Sequence, residues 1–175
     1  NNKFVLGIFE RVAKTCYRTS DQILISSRGF KDSICEKGDF SSKIIYFPNW
    51  AEEALNASHD YQLPVLPQGF RIMFAGNIGE AQDFESTLNA MKILKERGVS
   101  NVHLILVEDG RKRQWVDKFI QQNSLGNTVH CVGQHPLESM GKFFAHSDVL
   151  YISLKDSLIF NLTCPTKLQA YMSAG

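Results

Sequence analysis

The sequence lacks an excess of charge of either sign: 19 lysines and arginines stand against 18 aspartates and glutamates, a net charge of +1. That excludes the single-sign field of a nucleic-acid binder and favours a small or neutral partner. No apolar run approaches 18 residues and no signal-peptide layout is present in these 175 residues. Cysteine is sparse. Cys16, Cys35, Cys131 and Cys164 form no C-x-x-C pair and take no metal-ligand spacing with histidine, which reads as isolated reduced thiols in a cytosolic compartment, without a metal site.

What is present is enough to bury one real core: 175 residues, 43% of them hydrophobic. Phe4, Ile8, Val12 and Cys16 recur at helical spacing over residues 4 to 17. "QILISS" and "KIIYFPNW" then read as two strands around a short helix at residues 30 to 37. From Ala51 to Gly69 the pattern dissolves into polar residues and the punctuation of "LPVLPQG", as in a linker. Beyond it the alternation is regular. "RIMFAG", "VHLILV", "TVHCVG" and "VLYISL" read as strands, separated by helices at Phe84 to Arg97, "RQWVDKFIQQN" and "LESMGKFFAHS", with a last helix over Thr166 to Ala174. Strands alternating with helices of this length predict an α/β fold, a Rossmann-like doubly wound parallel sheet with helices on both faces. The expected domains are 1–50, a linker at 51–69, and 70–175.

Ligands of such sheets bind at the carboxyl ends of the strands, which selects four loops. Gly76 and Gly79 make only a G-x-x-G, and no acidic ribose reader follows at Lys95 to Gly98, so a nicotinamide dinucleotide is disfavoured. The glycines still let backbone N–H groups approach a phosphate ahead of a helix N-terminus, although a tight turn needs the same letters. In "TCPTK", Thr163 or Thr166 is placed to cap the last helix, with Lys167 beside the free N–H groups; a capped helix with a solvated lysine is the plainer reading. "VGQHP" puts Gly133 and His135 where a base could pack. "VEDGR" holds Asp109 and Gly110, both ordinary turn formers, and Asp156 and Ser157 are within a solvated loop.

In "FPN", "AGNIG", "VEDG" and "PTKLQAYMSAG" the chain resembles the group 1 glycosyltransferases of the GT-B fold, over most of its length. The resemblance implies that residues 1 to 46 end an acceptor-side domain and that residues 70 to 175 begin a donor-side domain, incomplete at its C-terminus because "YMSAG" should lead into another strand. It implies retaining transfer from a nucleotide-sugar, which is substrate rather than cofactor, to a glycan or lipid-linked acceptor. The setting would be surface polysaccharide or lipopolysaccharide synthesis, by a cytoplasmic enzyme that is peripheral to a membrane. A fragment of this kind is expected to be inactive alone.

Three departures from the family pattern shape the candidate site. The two carboxylates of the E-x7-E pattern fall on Leu162 and Ala170, so either ribose contacts shift, with Gln169 the candidate, or binding is weaker. The basic residues of the family's first donor loop fall on Asn77 and Gln82, so the charge that the resemblance requires to offset the leaving diphosphate comes from Lys167, the candidate catalytic cation, from backbone dipoles, or from residues outside this sequence. The acceptor half is largely missing. A GT-B sugar-nucleotide epimerase, or a nucleotide-binding module that has lost catalysis, remains the alternative.

Overall fold

The computed structural model describes residues 2–51 and 61–175, so part of the expected linker, residues 52–60, lies outside the described residues. The chain divides into two compact units, residues 1–49 with 156–164, and residues 50–155 with 165–175.

The first unit carries α1 (Asn2–Thr19), β1 (Ile23–Ile25), α2 (Phe30–Cys35) and β2 (Ile44–Tyr46). β1 and β2 pair in parallel, Ile23 opposite Ile44 and Ile25 opposite Tyr46, which is the interrupted α/β unit that the sequence predicts. Its core is small: Ile23, Ile25, Ile34 and Phe40, with Tyr17, Phe30 and Ile44 against them. The apolar stripe of α1 forms a helix as expected, yet Phe4 is 77% and Phe9 66% exposed. Only Tyr17, near its end, reaches this core, edge-on to Phe40.

The second unit holds β3 (Phe70–Ala75), α3 (Phe84–Glu96), β4 (Val102–Val107), α4 (Arg113–Gln122), β5 (Val129–Gly133), α5 (Met140–Ala145), β6 (Val149–Leu150) and α7 (Thr166–Ala174). Between β6 and α7, α6 (Leu158–Leu162) groups with the first unit. The sheet is entirely parallel, in the order β5-β4-β3-β6. Side chains alternate across a strand, and the two faces separate cleanly. Phe74, Leu104, Leu106 and Val129 pack with Leu88, Met91 and Val116 of α3 and α4. Met73, Ala75, Ile105 and Val107 pack with Met140, Phe143, Phe144 and Tyr171 of α5 and α7. The described end of the linker joins this second layer through Tyr61, Leu63 and Leu66. Both faces are therefore covered, as near-continuous apolar strands require.

Local chemistry sets the element ends. Asp83 caps α3, its Oδ1 accepting from the Ser86 amide at 3.2 Å. Gly98, at φ +75°, turns the chain out of the helix while its amide donates to the Lys95 carbonyl. Lys95 Nζ donates to the Asn123 and Ser124 carbonyls, both at 2.9 Å, tying the ends of α3 and α4 together. Burial pushes the Cys131 thiol up to about 11, and all four cysteines are free. No helix among the described residues is long and apolar enough to cross a membrane.

Three expectations require correction. "VLYISL" gives a strand of only two residues, Val149–Leu150, and beyond it the edge of β3 pairs with a side chain of α7, described below. The stretch Lys155 to Lys167, read as a loop, contains the helical turn α6. "LESMGKFFAHS" also divides, into a 3-10 turn at Leu137–Ser139 and then α5.

His103 of β4 and His130 of β5 meet ring to ring, Nδ1 to Nε2 at 3.1 Å, so one ring must donate and the other accept. Burial, then the neighbouring His103, hold His130 below the ordinary imidazole value, against a backbone hydrogen bond at Asn127. A depressed histidine makes the unfolded chain the better proton binder, so its contribution is complete above about pH 6.5 and is lost as pH falls toward the folded value. Thermal scans should show Tm falling on acidification below that pH, and falling less steeply in His130→Gln. Equal slopes for the two chains would contradict this assignment.

Candidate functional site

β4 and β6 flank β3 on opposite sides, so the chain reverses its direction of winding at β3. The crevice at the carboxyl ends of β3 and β6 is therefore where a ligand of an open parallel sheet sits. The loop after β3 is stitched to both neighbours. The Ile78 amide donates to Asp109 O at 2.9 Å and the Lys112 amide to Ile78 O at 3.0 Å. On the other side the Lys155 amide donates to Ala81 O at 2.9 Å and Ser153 Oγ to Asp83 O at 3.3 Å. Glu80 is held between Lys112 Nζ at 3.0 Å and Lys155 Nζ at 3.3 Å, and hydrogen bonding from Lys112 lowers its pKa.

α7 is fastened to this edge by one phenol. β6 ends at Leu150, leaving the amide and carbonyl of Ala75 without a strand partner on that side. Tyr171 Oη fills the gap, accepting from Ala75 N at 2.8 Å and donating to Ala75 O at 3.2 Å. Burial pushes its pKa up to about 12, so it stays a neutral donor. One helical turn earlier, Lys167 extends over Gly76, the first residue after β3. A Cβ at Gly76, whose φ is +134°, would collide with Lys167 Cε. The ammonium stands 4.5 Å from the centre of the Phe74 ring. Among the described residues it has no hydrogen-bond acceptor and no carboxylate within ion-pairing distance. Desolvation lowers its pKa, and the charge of Glu108 opposes that. A half-buried cation with no ion pair among the described residues carries an uncompensated desolvation cost.

The other sequence-derived candidates are placed less uniformly. The amides of Gly76, Ile78 and Gly79 are already used inside the protein, by Val107 O, Asp109 O, and Asn77 O with Gln82 Oε1. The phosphate cradle expected from the glycine loop is therefore largely filled by its own contacts. Asn77 lies against Gly110, where a Cβ would strike its Oδ1 and the Ile78 backbone. Gly133, at φ +84°, gives its carbonyl to the Glu108 amide at 2.7 Å. His135 has both ring nitrogens engaged, Nδ1 by Tyr61 Oη at 2.6 Å and Nε2 by Val132 O at 3.0 Å, so what it can offer a ligand is its ring edge.

Neither threonine caps α7, whose N-cap is Pro165 with no side-chain hydrogen bond. Thr163 instead donates to the Ile159 carbonyl of α6 at 2.7 Å and belongs to the first unit, while Thr166 is an exposed first residue of the helix. With its amide oriented to give the nitrogen the acceptors it faces, Gln169 donates to Pro165 O at 2.9 Å and Thr166 O at 3.1 Å, steadying the same turn from within. No group of three or more His, Cys, Asp or Glu among the described residues is arranged to hold a metal ion. Sequence reasoning missed Tyr171 and Glu108: the first reads as core, the second as part of a turn.

Comparison with known proteins gives a consistent result. The family described as "Glycosyl transferases group 1" matches residues 62–156. WcaI of Escherichia coli (strain K12), named for glycosyl transfer in colanic acid biosynthesis, is 30% identical over 115 residues, 61% of this chain and 28% of WcaI. WbjE of Pseudomonas aeruginosa, named as a glycosyltransferase, is 23% identical over 173 residues, 95% of this chain and 42% of WbjE. The chain thus spans less than half the length of these curated relatives. Among solved structures, Anabaena HepE in complex with UDP and glucose superposes with a TM-score of 0.64 at 15% identity, over 83% of this chain and 41% of HepE. That likeness extends the match to the GT-B fold.

Removing the phenol of Tyr171 strands a buried amide and a buried carbonyl together. Tyr171→Phe should therefore destabilise the chain by about 1–3 kcal/mol, read by urea denaturation. A stability equal to the parent's would show that water or a strand completes Ala75 instead.

Proposed function

The chain belongs to the group 1 glycosyl transferases, and from that premise we propose that residues 70–175 form the donor-side part of an enzyme that takes a sugar from a nucleotide-sugar. The observation that carries the reading is the Lys167 ammonium, unpaired and partly desolvated above Gly76 at the winding reversal of the sheet. A diphosphate placed there would meet a fixed positive charge in surroundings drier than bulk water, where one cation counts for more. Negative charge grows on the bridging oxygen as the sugar leaves, so Lys167 would stabilise departure more than it stabilises donor binding.

The acceptor is proposed as a glycan or lipid-linked saccharide of a surface polysaccharide, in keeping with the name of WcaI, and the transfer as one with retention. Asn77, Gln82 and the ring edge of His135 are assigned to the uncharged parts of the donor. Leaving-group charge rests on Lys167 in this scheme, so nucleoside diphosphate binding should persist in the presence of a chelator.

Two measurements test the scheme. In the full-length enzyme, Lys167→Ala should lower turnover by roughly 100-fold while changing donor affinity less, and Lys167→Arg should restore part of the loss. Near-normal turnover in the alanine variant would place leaving-group stabilisation elsewhere. With the 175-residue chain, titration with uridine or guanosine 5′-diphosphate in EDTA should show weak binding that declines as alkaline pH discharges the ammonium. Binding that requires a divalent cation would contradict the scheme.

A further inference from the structure

Glu108 follows the last residue of β4, and its backbone stands at φ +97°. Only this residue and Ser124 among the described non-glycine residues have positive φ, and a long side chain gains nothing there that glycine would not supply with less strain. The conformation is enforced from both sides: the Glu108 amide donates to Gly133 O at 2.7 Å, and Val107 before it is locked in register with Ala75. That register sets the Glu108 backbone one residue past the sheet, beside Gly76, over which the Lys167 side chain extends.

The remaining carboxylates of the second unit at this edge are spoken for. Glu80 bridges two lysines, Asp83 caps α3, and Asp109 Oδ1 accepts from the Gly110 amide at 2.7 Å. Glu108 is half-buried, and its carboxylate has neither a hydrogen bond nor an ion pair among the described residues. Its charge nevertheless reaches Lys167. We infer that Glu108 is a ligand-binding residue of the cleft, its two carboxylate oxygens accepting from a vicinal pair of hydroxyls on the ligand.

The chemistry follows from what a carboxylate beside an anion site can meet. It repels the diphosphate that Lys167 attracts and must face an uncharged, hydrogen-bond-donating part of the same molecule; adjacent hydroxyls match its two acceptor oxygens. Both the ribose and the transferred sugar of a nucleotide-sugar carry such a pair. The inference rests on the nucleotide-sugar reading given above.

The test uses the 175-residue chain and ligand-observed NMR titrations with UDP, 2′-deoxy-UDP and UDP-glucose, repeated with the guanosine series. Glu108→Gln keeps the shape and removes the charge. If the ribose hydroxyls are recognised, the variant should bind UDP about tenfold more weakly than the parent does and 2′-deoxy-UDP no more weakly. If the sugar hydroxyls are recognised, UDP should be unaffected and the nucleotide-glucose weakened about tenfold. Either pattern supports the inference; unchanged affinity for every compound overturns it and leaves the role of Lys167 standing. A parent chain that binds none of the compounds removes the nucleotide-sugar reading and this inference with it. Glu108→Gly supplies a second arm. Relief of the backbone should raise Tm by about 2–4 °C with the same loss of binding, whereas a Tm lowered by several degrees would make Glu108 a structural residue and overturn the assignment.

Discussion

The carboxyl edge of the four-stranded sheet depends on how one strand ends. β6 pairs with β3 over two residues and stops, which would leave the backbone of Ala75 open in a buried place. Backbone groups cannot be left unpaired in a core without a cost comparable to a lost hydrogen bond. Tyr171 meets both with a single hydroxyl and rests its ring edge-on against Phe144 at 5.2 Å. The same contact that completes the sheet fixes the rotation of α7 about its axis. Lys167, four residues earlier, is on the same helical face and so is delivered over Gly76. A structural requirement of the strand thereby becomes the placement of a charge.

The cleft supplies its charge economically. The glycine loop satisfies three of its own amides internally, and the first turn of α7 is steadied by Gln169 rather than by a threonine cap. The positive charge over Gly76 is one ammonium, with the Phe74 ring beneath it and the charge of Glu108 opposing its desolvation. The flanking loops are tied down by backbone hydrogen bonds and by the two lysines on Glu80, so the cation stands over a floor that needs little rearrangement.

Much of the architecture was legible because it is written in period. Apolar runs at β3 and β4, alternating with amphipathic stretches such as Leu88 and Met91 of α3, leave few topologies for a parallel sheet, and Asp83 and Gly98 mark helix ends with chemistry visible in the letters. Lys167 was legible for a similar reason, as a basic residue in the first turn of a helix at the carboxyl edge. The misses share a different cause. The shortness of β6 is matched by a residue 21 positions after Leu150, Tyr171, which completes the edge of β3 in its place. The failure of Thr163 and Thr166 to cap depends on where α6 ends, and the engagement of His135 depends on Tyr61, 74 residues away. Each is a decision made between elements, and local propensity carries no record of it. Glu108 is the intermediate case. "VEDG" announces a turn, but that the glutamate and not the glycine takes a positive φ is settled by the register of β4 against β5.

The meeting of Gly76 with Lys167 also constrains how such a protein can change over generations. The lysine stem occupies the space that any side chain at position 76 would need, and the ring of Phe74 supports it from below. A lineage that replaced the glycine first would push the ammonium out of the cleft. One that shortened position 167 first would open room above the strand, leaving the φ of +134° as the remaining reason for glycine there. The two steps are unequal in order, and the history of position 76 is readable only together with that of position 167.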